Sequence, residues 1–124
     1  MSTAEFRELE WYLRDHFFRE FNRGKNQFKI ESLPREMIKV YLRYKNSDID
    51  KMSIMISSVL ERLRSQLVIT QSVKDSLELI GGLSRLQCSK CFYICYLSDN
   101  EPKKCARCSA EELHTFPRNS LKKK

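Results

Sequence analysis

Two cysteine pairs of identical spacing, Cys88-Ser89-Lys90-Cys91 and Cys105-Ala106-Arg107-Cys108, stand thirteen residues apart. A C-x2-C turn presents two sulfurs from one side of a tight loop. Two such turns brought together supply four thiolates at the corners of a tetrahedron, the coordination a zinc ion takes. All five cysteines fall between positions 88 and 108, and the first 87 residues have none. That clustering suits a metal site and is unlike a disulfide framework spread through a secreted domain. The expected ligands are therefore Cys88, Cys91, Cys105 and Cys108, holding one Zn2+, with iron as the alternative ion. Four separate buried thiols, or two disulfides, are the readings without a metal. A closed four-thiolate site explains how a few tens of residues hold together, but it does not specify a task.

The 124 residues suit one domain, or a domain with a small appendage. The formal charge of +7 is uneven, with +2 over residues 1–83 and +5 over residues 84–124. A moderate basic excess of this kind is compatible with nucleic acid or an acidic protein partner. The first twenty residues carry charges throughout, and no apolar run approaches membrane-spanning length. The expectation is an intracellular protein, cytoplasmic or nuclear, that does not engage a membrane.

The region before the cysteines reads as helical. Ser2 and Glu5 form the S-x-x-E pattern of a capping box, and Phe6, Leu9, Leu13, Phe17 and Phe21 follow on one stripe. Trp11, Tyr12 and Phe18 widen that stripe, which predicts a helix buried on a broad face and ended by Asn22-Arg23-Gly24. His16, among these aromatics, reads as a partly buried helix histidine. Residues 25–31 read as a loop or a short extended link. Ser32 and Pro34 open a second predicted helix carrying Met37, Ile38, Tyr41 and Leu42 to about Lys45, with Arg35, Lys39, Arg43 and Lys45 as its solvated face. Ile49, Met52, Ile56, Val59, Leu60, Leu63 and Leu67 predict a central third helix, broadened by Ile54 and Met55 and thus open to two-sided cover or homodimerisation. A short fourth helix is predicted from Thr70 or Ser72 through Val73, Leu77 and Ile80. Gly81-Gly82 would end it and form a hinge. The expected fold class is thus mainly α: a bundle of about four helices over residues 1–82, a small β module over 83–117 and a basic tail over 118–124.

In the cysteine-bearing part, Phe92-Tyr93-Ile94-Cys95-Tyr96-Leu97 has strand composition, Ser98 to Pro102 is dense in turn formers, and Leu113 and Phe116 can cap the far side. The two cysteine pairs, Phe92-Tyr93, the Glu101-Pro102 turn and Phe116 together resemble a compact, rubredoxin-like zinc ribbon over residues 85–117. The resemblance implies metal binding and leaves function open. Ribbons of this kind usually carry glycine immediately after each cysteine pair, where this chain has Phe92 and Ser109. Cys95 reads as a buried strand thiol, its alternative being a ligand in an iron-sulfur cluster with the other cysteines. Asp99 and Glu101 invite comparison with the acidic hairpin tips of transcript-cleavage ribbons, but the short hairpin favours plain turn residues. His114 reads as exposed.

No catalytic constellation is visible. There is no phosphate-binding glycine loop, no G-x-S-x-G and no H-E-x-x-H, and four cysteines would fill every position on a zinc ion. The function expected is that of a non-enzymatic accessory protein of transcription, replication or RNA processing. Lys90, Lys103, Lys104, Arg107, Arg118, Lys122, Lys123 and Lys124 would meet phosphates, with Phe92, Tyr93 or Tyr96 available for stacking. Alternatives are a protein-interaction adaptor working through its helices, or a rubredoxin-like iron electron carrier. Leu33-Pro34 and Leu60-Glu61-Arg62-Leu63-Arg64 are similar to short stretches in the helical domains of GINS-type replication subunits, a likeness that bears on the adaptor reading.

Overall fold

The computed structural model describes residues 2–73 and 75–116. Three α-helices and six strands follow in the order α1 (Thr3–Asn22), β1 (Gln27–Lys29), α2 (Leu33–Val40), α3 (Ile49–Ser65), β2 (Ile69–Val73), β3 (Ser76–Leu79), β4 (Ser84–Cys88), β5 (Ile94–Leu97) and β6 (Leu113–Thr115). The strands form two antiparallel three-stranded sheets, ordered β1-β3-β2 and β5-β4-β6. The fold is α+β, which overturns the expected mainly α bundle of four helices.

The first helix starts as its sequence predicts. The Ser2 hydroxyl accepts from the Glu5 amide at 3.1 Å and the Glu5 carboxylate accepts from the Ser2 amide at 3.0 Å, closing a capping box. Gly24 follows the helix at φ +94°. The second helix stops at Val40, short of the expected Lys45, because Tyr41 turns extended and Leu42–Tyr44 form a single 3-10 turn. That break places the Tyr41 hydroxyl on Asp15 and buries Tyr44 beside Tyr12, while Leu42 is left 84% exposed. The third helix agrees with its pattern from Met52 through Leu63, with Met52, Ile56, Val59, Leu60 and Leu63 all buried, whereas Ile49 at its start is exposed. Leu67, counted with that stripe, instead takes φ +61° and lies exposed beyond the helix end.

The main correction concerns the fourth helix expected from Thr70 or Ser72 through Ile80, where the chain instead forms the β2-β3 hairpin. Val73, Leu77 and Ile80 fit a helical spacing, but Leu77 and Leu79 are the residues that enter the core, and Ser76 and Glu78, which alternate with them, are only partly buried. That is the period of a strand. The deciding contribution is remote: Phe28 on β1 lies opposite Leu77 across some fifty residues of chain. Together Leu9, Leu13 and Phe17 of α1, Leu33 and Met37 of α2, the α3 stripe, Phe28, Ile69, Leu77 and Leu79 make one core. Each such side chain contributes about 1.5–3 kcal/mol by leaving water.

The second sheet carries a separate small core of Cys88, Cys95, Leu97 and Cys105. Gly81 and Gly82, the expected hinge, take φ of +74° and +81°, and a Cβ on Gly82 would lie 3.0 Å from the Phe21 ring. The link they form does not leave the sheet dangling, because α1 packs against β5 as well as against the main core. The Trp11 indole donates to the Ile94 carbonyl at 2.7 Å, and the Arg14 guanidinium donates to the Tyr96 carbonyl at 2.6 Å.

Candidate metal centre

The two C-x2-C pairs fold into near-identical loops. In the first, the amides of Lys90 and Cys91 point at the Cys88 sulfur at 3.3 and 3.4 Å; in the second, those of Arg107 and Cys108 point at the Cys105 sulfur at the same two distances. The residue after each pair closes its loop, Phe92 donating to the Cys88 carbonyl at 3.0 Å and Ser109 to the Cys105 carbonyl at 2.9 Å. These are the positions where ribbons usually carry glycine, and both residues adopt the left-handed conformation, at φ +65° and +68°. The amide-to-sulfur geometry is thus obtained at a local backbone cost of about 1–2 kcal/mol per residue.

The loops face each other. Cys88 Sγ lies 3.5 Å from Cys108 Sγ and Cys91 Sγ lies 3.5 Å from Cys105 Sγ, and all four sulfurs fall within 4.8 Å of one another. A tetrahedron with metal–sulfur bonds of about 2.3 Å has sulfur–sulfur edges of roughly 3.8 Å, so the quartet could hold a metal ion. None of the five cysteines is disulfide-bonded. The Cys91 amide holds the Cys88 thiol below its ordinary range against the opposing effect of burial. Burial pushes the Cys105 thiol up, but the Cys108 and Arg107 amides outweigh it and bring it down to about 6. The Tyr93 amide lowers Cys91, yet burial and the neighbouring thiols prevail and push it up to about 12. The first sulfur of each pair is therefore predisposed to the anionic form a metal needs.

Compared with family models, curated proteins and solved structures, the chain gives no match. The four-cysteine cluster is compatible with the ribbon resemblance, and the geometry of the site carries the functional reading.

Cys95 is buried beside the quartet but outside it, accepting only a long contact from the Ala106 amide at 3.5 Å. His114 contacts the Ser89 hydroxyl through Nδ1 at 3.3 Å rather than joining the sulfurs. His16 is buried between α1 and α2, with Nε2 2.9 Å from the Glu36 carboxylate. Of the cations expected to meet phosphates, Lys90, Lys103, Lys104 and Arg107 are exposed on or beside the two cysteine loops. Lys90 lies 3.7 Å from Glu112, Lys103 reaches the Ser98 carbonyl at 3.4 Å, and the Arg107 guanidinium sits 6.0 Å over the Tyr93 ring. Arg118, Lys122, Lys123 and Lys124 lie outside the described residues. Among the aromatics, Phe92 is 68% exposed and Tyr93 half-buried, but Tyr96 is buried between Trp11 and Phe18, which removes it from any stacking role.

The clamp that seats the cysteine-bearing sheet on α1 is absent from the sequence reading above. Arg14 donates from both terminal nitrogens to the Glu101 carboxylate at 2.7 Å, and its remaining contacts reach the Tyr96 carbonyl, Glu10 and Gln66. The Glu101 carboxylate also accepts from the Ser98 amide at 2.9 Å, so a residue expected to be a plain turn acid anchors the turn to α1. Burial pushes the Glu101 carboxyl up, but Arg14 outweighs it and holds it below the usual carboxylate range. Asp15, also buried, accepts from the hydroxyls of Tyr96 and Tyr41 and from Arg19. The available signal was an arginine and an aspartate set between Trp11 and Phe18 on a helix whose aromatic face was too broad for one partner.

Proposed function

We propose that this chain is a non-enzymatic zinc-binding accessory protein that associates with nucleic acid or with a nucleic-acid-processing complex. The reading rests chiefly on one observation: the paired cysteine loops converge four sulfurs, and the same loops carry exposed cations. Four thiolates complete a zinc ion's tetrahedron, which suits a structural ion better than one that must admit a substrate. The ion would hold the loops' shape, and the loops would present Lys90, Lys103, Lys104 and Arg107 to phosphates.

Metal analysis of the purified protein tests the first half, with one zinc per chain expected; an iron absorption spectrum would replace zinc by the electron-carrier reading. Titration of labelled oligonucleotides at several salt concentrations tests the second half. Affinity should fall linearly in log–log form, by about 0.7 to 0.9 in slope for each phosphate neutralised. Negligible affinity even at low salt would move the function to the protein-adaptor reading. That reading draws support from Leu42 and Ile54, which are 84% and 70% exposed.

A further inference from the structure

Helix α1 and the ribbon enclose a cleft of about 950 Å³. Eight charged side chains line it, five cationic (Arg7, Arg14, Arg62, Lys104, Arg107) and three anionic (Glu8, Glu10, Glu101). The three carboxylates are all engaged by arginines: Glu8 by Arg43, Glu10 by Arg14 and Arg62, and Glu101 by Arg14. Arg7, Lys104 and Arg107 have no ion-pair partner among the described residues, so the net field of the cleft is positive and comes from both walls. Phe92, mostly exposed, and Tyr93, with the Arg107 guanidinium over its ring, line the same cleft.

We propose that this cleft binds a short segment of single-stranded nucleic acid, with phosphates on Arg7, Lys104 and Arg107 and a base stacked on Phe92. This rests on the nucleic-acid reading above and narrows it to one site and one strand form. A large exposed phenyl group beside unpaired cations matches the two requirements of single-strand binding, a track of positive charge and an aromatic platform. A duplex already covers its base faces with neighbouring bases, so Phe92 could not serve it. An acidic peptide would use the cations and leave the phenyl ring unemployed. Because one wall is the cysteine loop at 105–108, the site exists only while the ribbon keeps its shape.

The test is fluorescence anisotropy of the full-length, zinc-loaded protein with labelled oligo(dT), oligo(rU) and a duplex. Phe92→Ala is expected to weaken single-strand binding about fivefold to a hundredfold, the range for loss of one base stack. Lys104→Gln and Arg107→Gln should each weaken it and reduce the salt slope by about 0.7. Arg7→Gln does the same from α1, outside both cysteine loops, which keeps the test decisive should Phe92→Ala disturb the adjacent Cys91; zinc content is measured for every variant. Lys39→Gln, on α2 and outside the cleft, should leave affinity unchanged. Comparable effects on DNA and RNA, or on one alone, assign the natural strand. If Arg7→Gln, Lys104→Gln and Arg107→Gln bind like the parent protein while neutralising Lys122, Lys123 and Lys124 abolishes binding, the cleft proposal falls and the nucleic-acid reading stands. Equal or tighter binding of duplex, or equal competition by a poly-glutamate peptide, likewise overturns it. No binding to any oligonucleotide overturns both.

Discussion

Replacing Ser109 by glycine should stabilise the protein. Ser109 sits at φ +68°, immediately after the second cysteine pair, and its side chain is exposed. Holding an L-residue in the left-handed region costs about 1–2 kcal/mol, which glycine avoids. Against that stands the greater freedom glycine gives the unfolded chain, about 0.5–1 kcal/mol. No buried surface is lost, so the net gain should be about 0.5–1 kcal/mol, equivalent to a rise in Tm of roughly 2–5 °C for a chain of this size. Phe92→Gly provides the contrast. It relieves the same strain at φ +65°, but the partly covered third of the Phe92 ring loses its burial, worth about 0.5–1 kcal/mol of a full phenylalanine. Its effect should therefore be close to zero. Thermal unfolding followed by circular dichroism, at a fixed free zinc concentration so that mass action on the folded state is constant, distinguishes the two. A Ser109→Gly protein that melts lower than its parent, or a Ser109→Val protein that melts no lower, would refute the assignment of strain to these loops.

Arg14→Met should cost about 3–5 kcal/mol, because it leaves the Glu101 carboxylate, whose side chain is 8% exposed, buried without its partner; Glu101→Gln in the same protein should recover much of the loss, as chemical denaturation of the single and double variants can show. The same pair sets an acid limit. Glu101 has its folded pKa held below the ordinary value of 4.5, so its stabilisation is fully present above that value and is lost as pH falls through the folded pKa; denaturation midpoints should drop below pH 4.5, and by less in Glu101→Gln. Gly82→Ala should destabilise by about 1–3 kcal/mol, because alanine at φ +81° is strained and its Cβ would press on Phe21 at 3.0 Å; a Tm unchanged within a degree would argue against that contact. If the quartet holds an ion as proposed, chelation should open the 88–108 region to protease before the main core, since the four sulfurs within 4.8 Å of one another would lose the ion that joins their two loops. Uniform protection of both parts after metal removal would count against the metal's structural role.

The parts of this protein governed by short-range rules were legible in its residues. Two C-x2-C pairs specify two loops, because the amide-to-sulfur contacts span only two or three residues; hence the quartet could be named before its geometry was known. Ser2 with Glu5 specified the start of α1, and the Met52 to Leu63 spacing specified α3, since a cap and a helical face are both local. The positions after each cysteine pair, where ribbons usually carry glycine, hold Phe92 and Ser109, and both adopt the left-handed conformation that glycine takes most readily.

What remote contacts decide was not legible. Residues 69–79 can satisfy a helical or a strand period, and only pairing with β1, brought alongside by the folded chain, selects the hairpin. Tyr41 leaves the helix to reach Asp15, a residue 26 positions earlier. Arg14 and Glu101 are 87 positions apart, and although Arg14 stands among the aromatics of α1, nothing near it names Glu101 as its partner. Local propensities differ by about a kcal/mol or less per residue, whereas burial of a large apolar side chain, or leaving a buried charge unpaired, is worth several. Tertiary contacts therefore overrule local preference wherever the two compete, and here they turned an expected helix into a hairpin and fastened the cysteine-bearing sheet to α1.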